Sequence, residues 1–200
     1  PEALTPIETD VLTVTVTGAG AIFLAILIPL FLGIYAVTGA MYFVMDTTAG
    51  EKERKTLEAL LTMPATRTEI VLGKFLIAVL IALLSSALAI LGMMSGAVLL
   101  LGAVGEAATP SLSISPVNVF LIGLATLVLA MTSASLEMMI AIFARNFKEA
   151  QNLISPLTIV IVVPALAMQY MSDQALRSFA IAPIFNAMLM IRDALLNRIT

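Results

Sequence analysis

Apolar residues fall in four long uncharged runs, at about 19 to 45, 75 to 105, 114 to 136 continuing past Glu137 to Ala144, and 153 to 171. Each reaches the roughly 18 to 20 residues that a helix needs to cross ~30 Å of hydrocarbon. The first three exceed that minimum, which permits tilt or an extension beyond the membrane surface. A buried helix of a soluble protein rarely runs so far without charge. The pattern predicts an all-α fold, a polytopic transmembrane helix bundle with four full spans.

The polar stretches between the runs set an orientation. Residues 46 to 74 carry Lys52, Arg54, Lys55, Arg67 and Lys74, and a later connection carries Arg145, Lys148 and Glu149. Basic loops favour the cytoplasmic side, so both connections are expected there. Residues 1 to 45 and 105 to 115 hold no Lys or Arg and are expected outside. Residues 1 to 18, with alternating Val and Thr at Val11 to Thr17, read as the extended end of an extracellular segment. The core spans 19 to 171. Residues 172 to 200 regain charge, and Asn186, Asp193 and Asn197 share a helical face, so this part reads as an amphipathic or re-entrant segment on the outer side.

Composition agrees with lipid as the surrounding medium. Hydrophobic residues make up 60% of the chain and charged residues 12%, with a mean hydropathy of +1.09. A soluble domain of 200 residues could not cover its surface with so few charges. The net charge of -3 gives no sign of a nucleic-acid partner. Cys and His are both absent, which removes disulfides, thiolate nucleophiles, imidazole bases and the usual zinc sites. No metal site is read. No basic segment precedes the first apolar run, so no signal peptide is read either, and the chain reads as excised from something longer.

The polar segment DTTAGEKERKTLEALLTMPATRTEIVLGK, residues 46 to 74, predicts two short helices around a break at Pro64. Thr48 with Glu51, and Thr66 with Glu69, have the spacing of capping boxes. Leu57, Leu60 and Leu61 give the first helix an apolar stripe beside Glu51, Lys52, Glu53, Arg54, Lys55 and Glu58. Such a helix lies along a surface or docks on a partner. Its sequence, D-x-x-A-G-E-K-E-R-x-T-L-E-x-L-L-x-x-P followed by R-x-E-I-x-x-G-K, resembles the signature after the second span of ABC transporter type-2 permeases. The NatB-like, sodium-export branch is nearest. FARNFKEAQ at 143 to 151 and APIFN at 182 to 186 are similar to two further motifs of that family, so the resemblance covers about residues 30 to 195.

The resemblance implies a permease subunit of an ATP-driven exporter in the cell membrane, carrying sodium ions, drugs or other small molecules. In that family each permease has six spans, two copies pair as a homo- or heterodimer, and the loop after the second span carries a helix that couples to a separate ATPase. By resemblance Glu51, Glu53, Arg54, Thr56, Glu58, Pro64, Arg67 and Lys74 form that ATPase-coupling loop. The family's N-terminal span, most of its ectodomain and its last span have no counterpart here. Gly73-Lys74 lacks the earlier glycine of a phosphate-binding loop, so the chain is expected to bind no cofactor, with ATP-Mg and its hydrolysis on the partner.

Glu137 is an acid in an uncharged span, near Ser133 and about two turns from Arg145. An intramembrane carboxylate needs a polar partner or a wet cavity, so Glu137 and Ser133 are candidates for a transport path. Glu137 also supports a rival reading, an ion-coupled secondary transporter or channel without an ATPase. Gly92 and Gly96 form a G-x-x-x-G expected to pack helices closely. Pro156 and Pro164 are expected to kink the last span, and the twelve Met to fill apolar space. A membrane-embedded enzyme has no catalytic constellation to stand on.

Overall fold

The computed structural model describes residues 16–104, 116–168, 170–171, 176, 178 and 181–195. The expectations placed on residues 1–15 and 105–115, and on the remaining residues beyond 168, lie outside it. Helix α1, Val16–Met45, runs without interruption through a π-helical stretch, Asp46–Gly50, into α2, Glu51–Glu53. After a turn come α3, Leu57–Leu61, and α4, Arg67–Val104; then α5, Pro116–Ala141, α6, Phe147–Ala167, and α7, Pro183–Leu195. No strand occurs among the described residues. In hydrocarbon each backbone N–H and C=O must find its partner within the chain, and a helix does this inside one segment.

Among the described residues four helices are long and apolar enough to span a membrane, matching the four runs in number but not at their ends. Residues 46–53 and 67–74 are helical continuations of the spans, so the true connection is only 54–66. Val16 and Thr17 already belong to α1 rather than to an extended strand. Helix α5 stops at Ala141, short of Ala144, and α6 starts at Phe147, six residues before its apolar run, because Asn146 caps it by accepting a 2.8 Å hydrogen bond from the Glu149 N–H. Capping fixes helix ends that hydropathy alone cannot locate.

Helix α1 is the hub. Half of its most apolar window is buried, against 22% for α4, and it packs on α4, α5, α6 and α7. Toward the Asp46 end, Ala40, Val44, Met45 and Ala49 join Ala78 and Ala82 of α4, Ala134 and Met138 of α5, and Ala150 and Ile154 of α6. Toward the other end, α7 supplies Ala187, Met188 and Ile191 to the core made by Ile28, Leu32, Leu129 and Ile161. Helix α7 buries most of its length between its neighbours; its 13 residues reach roughly 20 Å, less than the hydrocarbon thickness.

Two glycines make the hub possible. A Cβ at Gly39 would stand 2.6 Å from both Cβ and Oγ of Ser85, so α1 and α4 touch backbone to side chain there. A Cβ at Gly33 would meet the Met188 methyl of α7 and Ile161 of α6. Gly92 and Gly96, in contrast, have open space beyond them. Among the described residues the expected G-x-x-x-G packing is therefore not made: Gly92 borders an open groove beside α1, and Gly96 is exposed. The exposed surface of α4 is rich in leucine, with Leu80, Leu84, Leu88 and Leu91 each 59–63% exposed, a composition suited to acyl chains rather than water.

Candidate functional site

The polar end of the bundle is ordered by contacts that local sequence does not announce. Lys74, half-buried on α4, pairs with Glu51 of α2 and donates a 2.6 Å hydrogen bond to the Thr47 carbonyl. Lys52 donates to the carbonyls of Ile142 and Ala144, in the turn that leaves α5. Glu53 accepts a 3.0 Å hydrogen bond from the backbone N–H of Phe147, the first residue of α6. The Phe147 ring stacks on Tyr42 of α1 with centroids 6.5 Å apart. Three helices are thus tied to the last turn of the α1–α2 rod.

These contacts correct the reading of residues 46–74. Thr48 caps nothing: it lies inside the rod, and its Oγ1 is buried with no hydrogen-bond partner. Glu51 is half-buried against Lys74. The first helix does not continue to Leu61 either. Lys55 adopts φ 58°, the Thr56 N–H bonds the Glu51 carbonyl at 3.0 Å and the Lys55 N–H bonds the Lys52 carbonyl at 3.2 Å. This is the pair of closing bonds of a Schellman stop, with lysine where glycine is usual. The second expected box is present. The Thr66 N–H donates to Glu69 Oε2 at 2.8 Å, and the Glu69 N–H donates to Thr66 Oγ1 at 3.3 Å, a reciprocal cap that starts α4.

Between the Schellman stop and this cap projects a tip, residues 54–66. Arg54, Lys55, Thr56, Glu58, Pro64 and, just past it, Arg67 are exposed. Arg54 pairs with Asp46 at 2.5 Å, but at 63% and 47% exposure that pair adds little. More telling are Leu61 and Met63, 51% and 56% exposed, on a turn held by Thr62 Oγ1 donating to the Ala59 carbonyl at 2.7 Å. Bare apolar groups on a polar, ordered projection form a surface suited to another protein. Leu61 was expected in the stripe of a surface helix and Met63, with the other methionines, as apolar filling; Met63 is instead exposed, because exposure cannot be read from residue type.

The second basic connection is a compact corner. Asn146 caps α6, and Glu149 Oε2 in return accepts a 2.8 Å bond from the Arg145 N–H. Arg145 and Lys148 are exposed and Glu149 is half-buried.

Deeper in the bundle, Glu137 is fully buried on α5, and neither carboxyl oxygen has a hydrogen-bond partner among the described residues, Arg145 included. Ser133, one turn earlier on the same face, is also buried, but its Oγ is used by the carbonyls of Ala36 and Ala130 at 3.2 and 3.1 Å. Ser86 on α4 is a third buried polar side chain, likewise without a partner. An open cavity of about 680 Å³ lies elsewhere. It is a groove between α1 and α4 lined by Phe31, Tyr35, Tyr42 and Leu88 among others, and neither Glu137 nor Ser133 borders it. No cluster of metal-ligating side chains occurs among the described residues.

A helical bundle with four apolar spans and a stapled polar end defines a multi-pass membrane protein of the cell membrane. The chain belongs to the ABC-2 family transporter proteins, whose family model matches residues 2–200. It is 28% identical over 165 residues to the ABC transporter permease protein NatB of Bacillus subtilis (strain 168), an overlap that takes in 81% of this chain and 41% of that relative. The chain thus spans about two fifths of the relative's length. No solved structure matches it significantly.

Proposed function

We propose that this chain is the part of an ABC exporter permease that receives the motion of a separate ATPase, with the tip at 54–66 as the surface on which that ATPase docks. Leu61 and Met63 carry the reading: an ordered projection between two long helices exposes apolar side chains where the Lys and Arg distribution puts the cytoplasm. ATP-Mg binds and is hydrolysed on the partner. Closure of the ATPase pushes the tip, the α1–α2 rod and α4 tilt together through Lys74 and Glu51, and a path beside the spans alternates its access. A second permease copy completes that path. Glu137 and Ser133 lie along it in this reading, supported by a buried carboxyl that has no hydrogen-bond partner among the described residues. Sodium ions or small organic molecules are the cargo expected of this branch.

The test is Leu61→Glu with Met63→Glu in the complete permease co-expressed with its ATPase. Both side chains already face solvent, so the fold should be retained, while co-purification of the ATPase and transport-linked ATP hydrolysis should fall by at least about tenfold, the loss of one or two apolar contacts in an interface core. Undiminished recovery of the ATPase would remove the tip from this role and favour an ion-coupled carrier that uses Glu137 alone.

A further inference from the structure

The α1–α2 rod ends in two adjacent residues whose partners lie about 90 positions away, at the corner between α5 and α6. Lys52 sits on carbonyls released at the end of α5, and Glu53 sits on the first N–H of α6. The signs are favourable at both places. Helix C-termini leave carbonyls unsatisfied and carry partial negative charge, while N-termini offer free N–H groups and partial positive charge. A cation on the first and an anion on the second satisfy both ends of one corner from a single helical turn.

The corner itself is stiff. Asn146 and Glu149 bond the backbone of residues 149 and 145 in return for one another, and the Phe147 ring stacks on Tyr42. Force applied at Lys52 and Glu53 therefore moves the ends of α5 and α6 together rather than bending the turn. On the other side of the latch, the Schellman stop at Lys55 places the tip directly after these two residues. A tilt of the tip acts at most one or two residues from the contact.

We propose that Lys52 and Glu53 are positioning residues that carry movement of the tip to α5 and α6, so that the helix bearing Glu137 responds to a partner bound only at the tip. This rests on the docking reading above. Caps that served stability alone could be placed on local side chains, as Asn146 is; the Lys52 and Glu53 caps come from the element that leads to the tip.

The test uses the complete permease with its ATPase in lipid nanodiscs. The chain has no cysteine, so Ala59→Cys reports on the tip and Lys148→Cys, in a separate preparation, on the corner. Maleimide labelling rates are compared without nucleotide and with the ATPase trapped by Mg-ATP and vanadate. In the otherwise unaltered protein both positions should change rate several-fold on trapping. With Lys52→Met and Glu53→Leu together, position 59 should still respond and position 148 should not, while Lys52→Arg should keep both responses. Should the double variant fail to yield folded protein by size exclusion, Lys52→Met and Glu53→Leu are read singly, each expected to reduce the response at 148 but not at 59. A response at 148 that survives both substitutions overturns the latch and leaves docking intact. No response at 59 in the unaltered protein overturns the docking reading and the latch with it.

Discussion

Gly39→Ala adds one methyl group where α1 meets α4, and the structure sets both sign and size of its effect. The new Cβ would lie 2.6 Å from Cβ and Oγ of Ser85, whereas ordinary contact begins near 3.4 Å. The helices must part by roughly 0.8 Å, or Ser85 must move, but its Cβ belongs to the backbone framework of α4 and cannot swing away. Overpacking of this kind costs about 1–3 kcal/mol. Alanine returns about 0.8–1.0 kcal/mol as a better helix former than glycine, so the net loss is about 0–2 kcal/mol. Gly92→Ala is the control: nothing lies within 4 Å of its Cβ, so only the favourable propensity difference remains. Ser85→Gly deletes both clashing atoms and should relieve Gly39→Ala, leaving Ala82 Cα at 3.7 Å as the nearest remaining contact. The assay is unfolding in mixed micelles by added SDS, followed by helical circular dichroism, with the four proteins of the double-mutant cycle compared at constant slope. A Gly39→Ala that gains stability as Gly92→Ala does, or a double variant whose effects simply add, would refute the close α1–α4 contact.

Two further expectations follow from single residues. Lys55→Gly should stabilise the chain by about 1 kcal/mol in the same assay, because an L-residue at φ 58° carries a left-handed penalty of roughly that size; a destabilised variant would mean that Lys55 is not the C-terminal stop. Glu137→Gln in the complete permease should leave expression intact but lower transport and substrate-stimulated ATP hydrolysis, and Glu137→Leu should lower them too without lost folding. Full transport by both variants would take Glu137 off the transport path.

The number of spans, the all-helical class and the presence of a projecting segment between the first two described spans were legible in the chain itself. Long apolar runs are a local property, and in hydrocarbon the backbone has one way to satisfy itself within a segment. The Thr66–Glu69 cap was legible for the same reason, since its partners are three residues apart. Facing was not legible. The spans are apolar nearly all round, so their pattern cannot say which side meets a neighbour. Gly92 and Gly96 looked like a packing motif but have no described neighbour within 4 Å, while Gly39, with no motif around it, makes the close contact. Glu137 was recognisable as an oddity, but only the bundle shows that it is buried, without a hydrogen-bond partner among the described residues, and that Arg145 does not reach it. Residues 46–53 read as the cap and start of a separate short helix, yet they prolong α1, and Glu51, Lys52 and Glu53 find partners at Lys74, at Ile142 and Ala144, and at Phe147. The sequence determined which segments are helical and which ends are charged, because those follow from neighbours along the chain; the tertiary structure decided which charges are free and which are tied, because each tie joins residues 23 to 94 positions apart.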